Sequence, residues 1–292
     1  MRKFIKLTLV LSAVFVAIYL SAAFAVRLCI RNQSFSIDSS RNILLLGHSM
    51  GECAVVPNIA TRIANYCKSG EHTMQSYLKL RFILRDNPQI DTVMFTFAPF
   101  VFANGVDGGD FEGDVASNKM KLFYPLMDIE DIKLFLDNKV LYTNLSSMPY
   151  LQSVAKRQPY LDQLGGYLYL ERDKLQLDIE RRAKEPKTQV NSKFNAKYQK
   201  IYLSKMIQLC KNYNVKFLFI QFPIYQASKY GDLQFGDSIR KTLYSDIQLL
   251  DFVNIQLPDS TYGDVVHLNH RGAKIVSKIL MDTLNKNTMT VR

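Results

Sequence analysis

Ser49, His267 and Asp264 are a hydroxyl, an imidazole and a carboxylate, the three roles of serine-based acyl transfer: nucleophile, general base and orienting acid. The serine lies in Gly47-His48-Ser49-Met50-Gly51, directly after the apolar run Ile43-Leu44-Leu45-Leu46. The other two share Asp264-Val265-Val266-His267, just before an amphipathic stretch near the end of the chain. His270 is close by, but the spacing from Asp264 and the Leu268-Asn269 that follows favour His267 as the base. His48 adjoins the nucleophile, and with His72 and Asn104 it is a candidate for the pocket wall. Glu52, about one turn after Ser49, either favours the first turn of a helix through its dipole or borders the site.

Elements that alternate between strand and helix must position these groups. Ile43–Leu46 reads as a fully buried strand and Met50 to Tyr66 as a helix. Residues 74–85 carry apolar side chains at helical spacing, and Asp91–Phe97 is a β-branched and aromatic strand. Residues 215–221 and 247–253 read as further strands, and 271–284 as a closing amphipathic helix. Such alternation predicts an α/β domain with a parallel sheet and helices on both faces. Ligands of such sheets bind outside the carboxyl ends of the strands, where Ser49, Gly70 and the Ala98 loop would meet.

Gly-His-Ser-Met-Gly alone suggests the nucleophile elbow of an α/β-hydrolase. That fold needs an earlier strand to donate its oxyanion loop, and here the serine follows the first strand of the domain. A carrier-protein transacylase fails for the same reason. The order and distance of the blocks instead resemble the SGNH/GDSL hydrolase superfamily. The resemblance is to its membrane-anchored, extracytoplasmic branch, which includes the D-alanyl-transfer protein of teichoic-acid modification and the SGNH proteins of alginate acetylation. It spans roughly residues 42 to 285, apart from a middle insertion. It implies a flavodoxin-like three-layer sandwich, with Ser49 as nucleophile, His267 as base and Asp264 as acid. Asn65-Tyr66-Cys67-Lys68-Ser69-Gly70 is similar to the family's second block, which implies that the N–H groups of Ser49 and Gly70 form the oxyanion hole. Two positions depart from the pattern. His48 replaces the aspartate before the serine, and the strand Asp91–Phe97, running into Ala98-Pro99-Phe100, lacks the asparagine that donates to the oxyanion in the third block, leaving Asn104 as a distant candidate. Loss of one oxyanion donor costs about 10²–10³ in rate.

Residues 7–26 carry no charge and are long enough to span a bilayer, which takes about 20 residues. Arg2, Lys3 and Lys6 favour a cytoplasmic N-terminus. Ala23-Phe24-Ala25 also fits a signal-peptide cleavage site, so residues 1–27 are an anchor or a signal peptide. Both place the domain outside the cytoplasm: at the inner membrane with an extracytoplasmic domain, or free in the periplasm. The remainder reads as one SGNH-like α/β domain over 40–290, with a charged, tyrosine-rich, partly helical insertion over about 105–195. Helical stretches in that middle region are expected around Asp128–Leu141 and Asn195–Tyr213. Within the insertion, Tyr160 and residues 164–169 could stack on sugar rings or pack as core. Hydrophobic content of 48% can fill a core, and 37 basic against 26 acidic residues give a net charge of +11. On an exported protein that charge suits anionic lipid or a polyanionic glycan, and no nucleic-acid motif accompanies it. Four cysteines in a domain this large are not a disulfide framework, and their spacing suggests no zinc site.

Two functions are expected from these residues. One is an exported serine esterase or O-acyltransferase acting on acyl esters of envelope glycans, with no metal and no cofactor, and with a membrane-bound acyl-donor protein as partner. The other is a non-catalytic accessory or glycan-binding protein on the same fold.

Overall fold

The computed structural model describes residues 1–98, 122–137, 159–171, 173–184, 196–225 and 240–289. Asn104 and most of the expected insertion over 105–195 lie outside these residues. The chain divides into two compact units.

The first unit holds residues 1–35 with the described stretches 122–137 and 159–163. Its helix α1 (Arg2–Arg31) has 30 residues and a mean hydropathy of 2.5, long and apolar enough to cross a membrane or to serve as a signal sequence. At about 1.5 Å per residue it exceeds the ~30 Å hydrocarbon core. Its last turns belong to the folded unit: Ile30 and Phe35 are fully buried, and Arg31 donates to the Met127 carbonyl at 3.1 Å and pairs with Asp128 at 3.0 Å. A 3-10 turn (Tyr124–Leu126), helix α2 (Ile129–Asp137) and a second 3-10 turn (Tyr160–Gln163) complete it. Tyr160 is buried, with its hydroxyl donating to the Leu122 carbonyl.

The second unit is the α/β domain. Its strands are β1 (Ile43–Leu46), β2 (Ile63–Asn65), β3 (Thr92–Thr96), β4 (Lys216–Gln221) and β5 (Leu249–Asp251). All pair in parallel, in the order β2-β1-β3-β4-β5, the flavodoxin-like order. The register sets Leu44 beside Ala64 on one side and beside Val93 on the other. β1 is buried along its whole length, which is why it reads as an unbroken apolar run.

The helices of this unit are α3 (Ser49–Ala54), α4 (Thr73–Asp86), α5 (Leu175–Lys184), α6 (Lys197–Asn212) and α7 (His270–Met289). The chain leaves β1 towards β2, then returns past β1 to β3, so right-handed crossovers put α3 and α4 on opposite faces. Packing follows this division: α7 lies against α3, and α6 against α4. The strand order reverses at β1, so the crevice where such sheets bind ligands opens at its carboxyl end.

Several expected elements are corrected. The helix expected over Met50–Tyr66 stops at Ala54, and Val55 is extended at φ −117 and ψ 107. Pro57, two residues on, has no N–H to continue the helix and disfavours helical backbone before it. The rest of that stretch contains β2, a strand of three buried residues. β5 also has only three residues, against the seven expected over 247–253. Helix α5 falls where no helix was expected.

Candidate active site

Ser49 is placed by a tight turn between β1 and α3. Gly47 has φ +127, and a Cβ there would lie 1.7 Å from Thr96 Oγ1. A Cβ on Gly51 would fall 2.5 Å from both Cys67 Sγ and Thr96 Cγ2. Both glycines of the motif therefore let the turn close onto β3. Thr96 Oγ1 accepts from the His48 N–H at 3.0 Å and so pins the residue before Ser49.

His48 caps α3: its Nδ1 accepts from the Met50 N–H at 3.4 Å. That bond leaves Nδ1 unprotonated and assigns the ring proton to Nε2. Burial, reinforced by the nearby His72 and His267, pulls the His48 pKa down to about 3, so the ring is neutral near pH 7. It takes the capping role open to an aspartate at this place, without a charge.

His267 Nε2 lies 2.7 Å from Ser49 Oγ. On the other side of the ring, Nδ1 lies 3.0 Å from both carboxylate oxygens of Asp264. The Nδ1 proton then points at Asp264, and Nε2 is free to accept from the serine hydroxyl. Asp264 Oδ1 also accepts from the N–H groups of Val266 and His267, each at 2.9 Å. Burial acts to raise the Asp264 carboxyl. The hydrogen bond and charge of His267, with the two backbone donors, outweigh it and hold the group at about 2. Asp264 is 5% exposed, whereas Ser49 and His267 are half-buried and reachable.

The turn that carries Asp264 and His267 is built by Asn269. Its Nδ2 donates to the carbonyls of Ser260 at 2.9 Å and Tyr262 at 3.2 Å, while Oδ1 accepts from Arg271 N at 2.9 Å and caps α7. His270 opens α7, stacks on Tyr169 at 4.8 Å and faces the Leu170 carbonyl. Ser277, on α7, accepts from Val56 N at 2.8 Å and donates to the Ala54 carbonyl at 3.3 Å. That pair of bonds ties the helix behind His267 to the end of the helix that begins at Ser49.

The second block folds back onto the first. Asn65 Nδ2 donates to the carbonyls of Gly51 and Val55, and its Oδ1 accepts from Cys67 N. Lys68 N donates to the Gly47 carbonyl at 3.0 Å, and Ser69 Oγ donates to Glu52. Glu52 thus joins the second block to α3. Gly70 is exposed at φ +73. The N–H groups of Ser49 and Gly70 are spent on no acceptor among the described residues. His72 begins α4, with its N–H held by the Gln75 side chain at 3.0 Å.

Sequence reasoning took Asn269 only as part of the block after His267, and did not single out Thr96 or the buried pair Lys79–Glu71. The signal for Lys79 was present: it stands four residues before Ile83, on the face of α4 that the helical period turns inward. Three of the four cysteines, Cys53, Cys67 and Cys210, are buried, Cys29 is exposed, and none is in a disulfide. Among the described residues, no group of three or more His, Cys, Asp or Glu is arranged to hold a metal ion.

No family model matches the chain, and no curated protein matches it. Solved structures similar to it at low identity include the following three. A "putative acylhydrolase" of Bacteroides fragilis is 11% identical, with 87% of this chain and 91% of that one covered at a TM-score of 0.38. A GDSL-like lipase of Bacteroides thetaiotaomicron is 11% identical, with 92% and 96% covered at 0.39. A protein described as a "putative platelet activating factor" from Streptococcus pneumonia is 14% identical, with 94% and 98% covered at 0.39.

Proposed function

We propose that this protein is an SGNH-type serine esterase or O-acyltransferase of the cell envelope. The observation that carries the proposal is the unbroken line Ser49 Oγ, His267 Nε2, His267 Nδ1, Asp264, with contacts of 2.7 and 3.0 Å. Ser49 Oγ attacks an ester carbonyl while His267 Nε2 takes its proton. Asp264 keeps the ring in the required tautomer and stabilises the imidazolium. The N–H groups of Ser49 and Gly70 stabilise the oxyanion. His267 then returns the proton to the leaving alcohol, and water or a glycan hydroxyl resolves the acyl-enzyme. The substrate is an acyl ester, with acylated envelope glycans the leading class and a membrane-bound protein as acyl donor in the transferase form.

The apolar α1 supports attachment to the inner membrane with the α/β domain outside. The uncharged run over residues 7–26 exceeds the about 7–15-residue core of a signal peptide, which supports an anchor kept intact over cleavage at Ala25. Amino-terminal sequencing of the protein recovered from membranes tests this, and a mature start at Val26 would replace the anchor with a signal peptide.

Fluorophosphonate labelling of the full chain in detergent tests the chemistry. One covalent adduct is expected on Ser49, absent in Ser49→Ala and lost in His267→Ala. A wild-type protein that takes no label would favour the non-catalytic alternative. One observation speaks for that alternative: Thr96-Phe97-Ala98, at the end of β3, presents no side-chain amide to an oxyanion.

A further inference from the structure

Lys79 is a fully buried cation on α4, and all three of its ammonium donors are spent. One goes to Glu71, which is itself only 2% exposed, one to the Tyr66 carbonyl, and one to the Leu164 carbonyl at 2.9 Å. The two carbonyls belong to different segments: the loop between β2 and α4, and the stretch that enters the unit at Leu164. That stretch runs along the same loop, with Gly166 N donating to the Cys67 carbonyl at 3.0 Å and Leu168 N to the Glu52 carbonyl at 2.9 Å.

Stability does not account for such a pair. Taking both ions out of water costs about as much as their attraction returns, and a well-packed apolar pair often does as well. Here the balance is worse, because the second carboxylate oxygen, Glu71 Oε1, is buried with no hydrogen-bond partner. What the pair does achieve is geometric. Gly70 lies between Lys68, fixed to the Gly47 carbonyl, and Glu71, fixed to Lys79. Ser69, next to Gly70 on the other side, is fixed to Glu52 of the nucleophile's own helix. With Asn65 holding the start of the loop, Lys79–Glu71 is the anchor at its far end.

We propose that the buried Lys79–Glu71 pair is a positioning device for the oxyanion loop, holding the Gly70 N–H in register with Ser49. The pair touches no substrate and acts through the loop. The proposal rests on Ser49 as nucleophile and on Gly70 as oxyanion donor, and it adds the groups that keep that donor in place.

The test uses fluorophosphonate labelling of the full chain, because the phosphonyl oxygen occupies the oxyanion position as Ser49 is modified. The paired replacement Lys79→Met with Glu71→Leu removes both charges and fills their space. Its Tm should fall, because the Tyr66 and Leu164 carbonyls lose their donor, so kinact is read per folded molecule below the transition. Its kinact should fall at least about tenfold at unchanged KI, approaching the about 10²–10³ seen when a donor is removed outright. Unchanged kinact per folded molecule would overturn the proposal. If the double variant fails to fold, Glu71→Gln against Glu71→Ala decides. Gln keeps an acceptor for Lys79 Nζ and should hold kinact near the wild-type value, whereas Ala should lower it in the fraction that remains folded. Equal kinact per folded molecule in the two would overturn the proposal. A wild-type protein that takes no label would instead fail the serine-hydrolase reading, a separate and recognisable result.

Discussion

His48→Asn should change how stability depends on pH. His48 is 3% exposed and caps α3 through an unprotonated Nδ1. Protonation would put a hydrogen where the Met50 N–H already points and would bury a charge between His72 and His267. The folded pKa of about 3 lies below the ordinary 6.5. The ring's contribution is therefore fully present above pH 6.5 and is lost as pH falls towards 3. Each pH unit in that window costs about 1.4 kcal/mol for one proton taken up on unfolding. Between pH 6.5 and 4.5 the loss is about 2–3 kcal/mol, a large share of an overall stability of ~5–15 kcal/mol. Glu71 works in the opposite sense. Burial raises its carboxyl from the usual 4.5 to about 7 against the pull of Lys79, so its contribution grows as pH falls from 7 to 4.5. Both proteins carry Glu71, and comparing them cancels it. Asparagine is a good N-cap and does not titrate. Urea unfolding, read by circular dichroism because the chain has no tryptophan, should give curves for wild type and His48→Asn that diverge at about 1.4 kcal/mol per pH unit over this window. Parallel curves would refute the assignment of a buried, neutral, capping histidine.

Gly47→Ala should abolish the soluble fold, since φ +127 and a contact of 1.7 Å to Thr96 Oγ1 combine strain with a clash. Gly166→Ala, with nothing within 4 Å of its Cβ, should express normally and serves as the control in the same solubility assay. Ser277→Ala should lower stability by about 1–3 kcal/mol in thermal melts, because it strands the Val56 N–H. Asp264→Asn should slow fluorophosphonate labelling of Ser49 by about 10⁴, a smaller loss than His267→Ala produces. The same substitution should remove a stabilising contribution that is present above pH 3.8 and lost as pH falls through about 2, visible as converging acid-unfolding curves.

How much of this was legible depends on how locally each feature is encoded. Ile43–Leu46 announced a buried parallel strand because all four side chains are apolar, and a strand buried on both faces needs them so. The helices α4 and α7 were legible from their period, their bounds differing by a few residues. β2 was hidden because three residues carry no period, and Ile63-Ala64 follows a stretch whose composition suits a helix apart from Pro57. Lys79 was missed for a different reason: its period turned it inward, but a charged residue reads as surface unless partners on other segments are there to satisfy it.

The sequence carried the chemical vocabulary. It set a serine after a buried strand, an Asp-x-x-His block before the last helix, an apolar helix at the N-terminus, and the parallel α/β rhythm. These follow from side-chain type and short spacing, which act over a few residues. It is the tertiary structure that brings His267 Nε2 to Ser49 across 218 positions of chain, sets Thr96 against the turn before Ser49, and joins Lys79 to Glu71 at the end of the loop bearing Gly70. Those contacts join segments whose closeness depends on strand order and on the crossings between strands. No local pattern carries that information, because it arises only when the sheet assembles and its carboxyl edge brings the loops together.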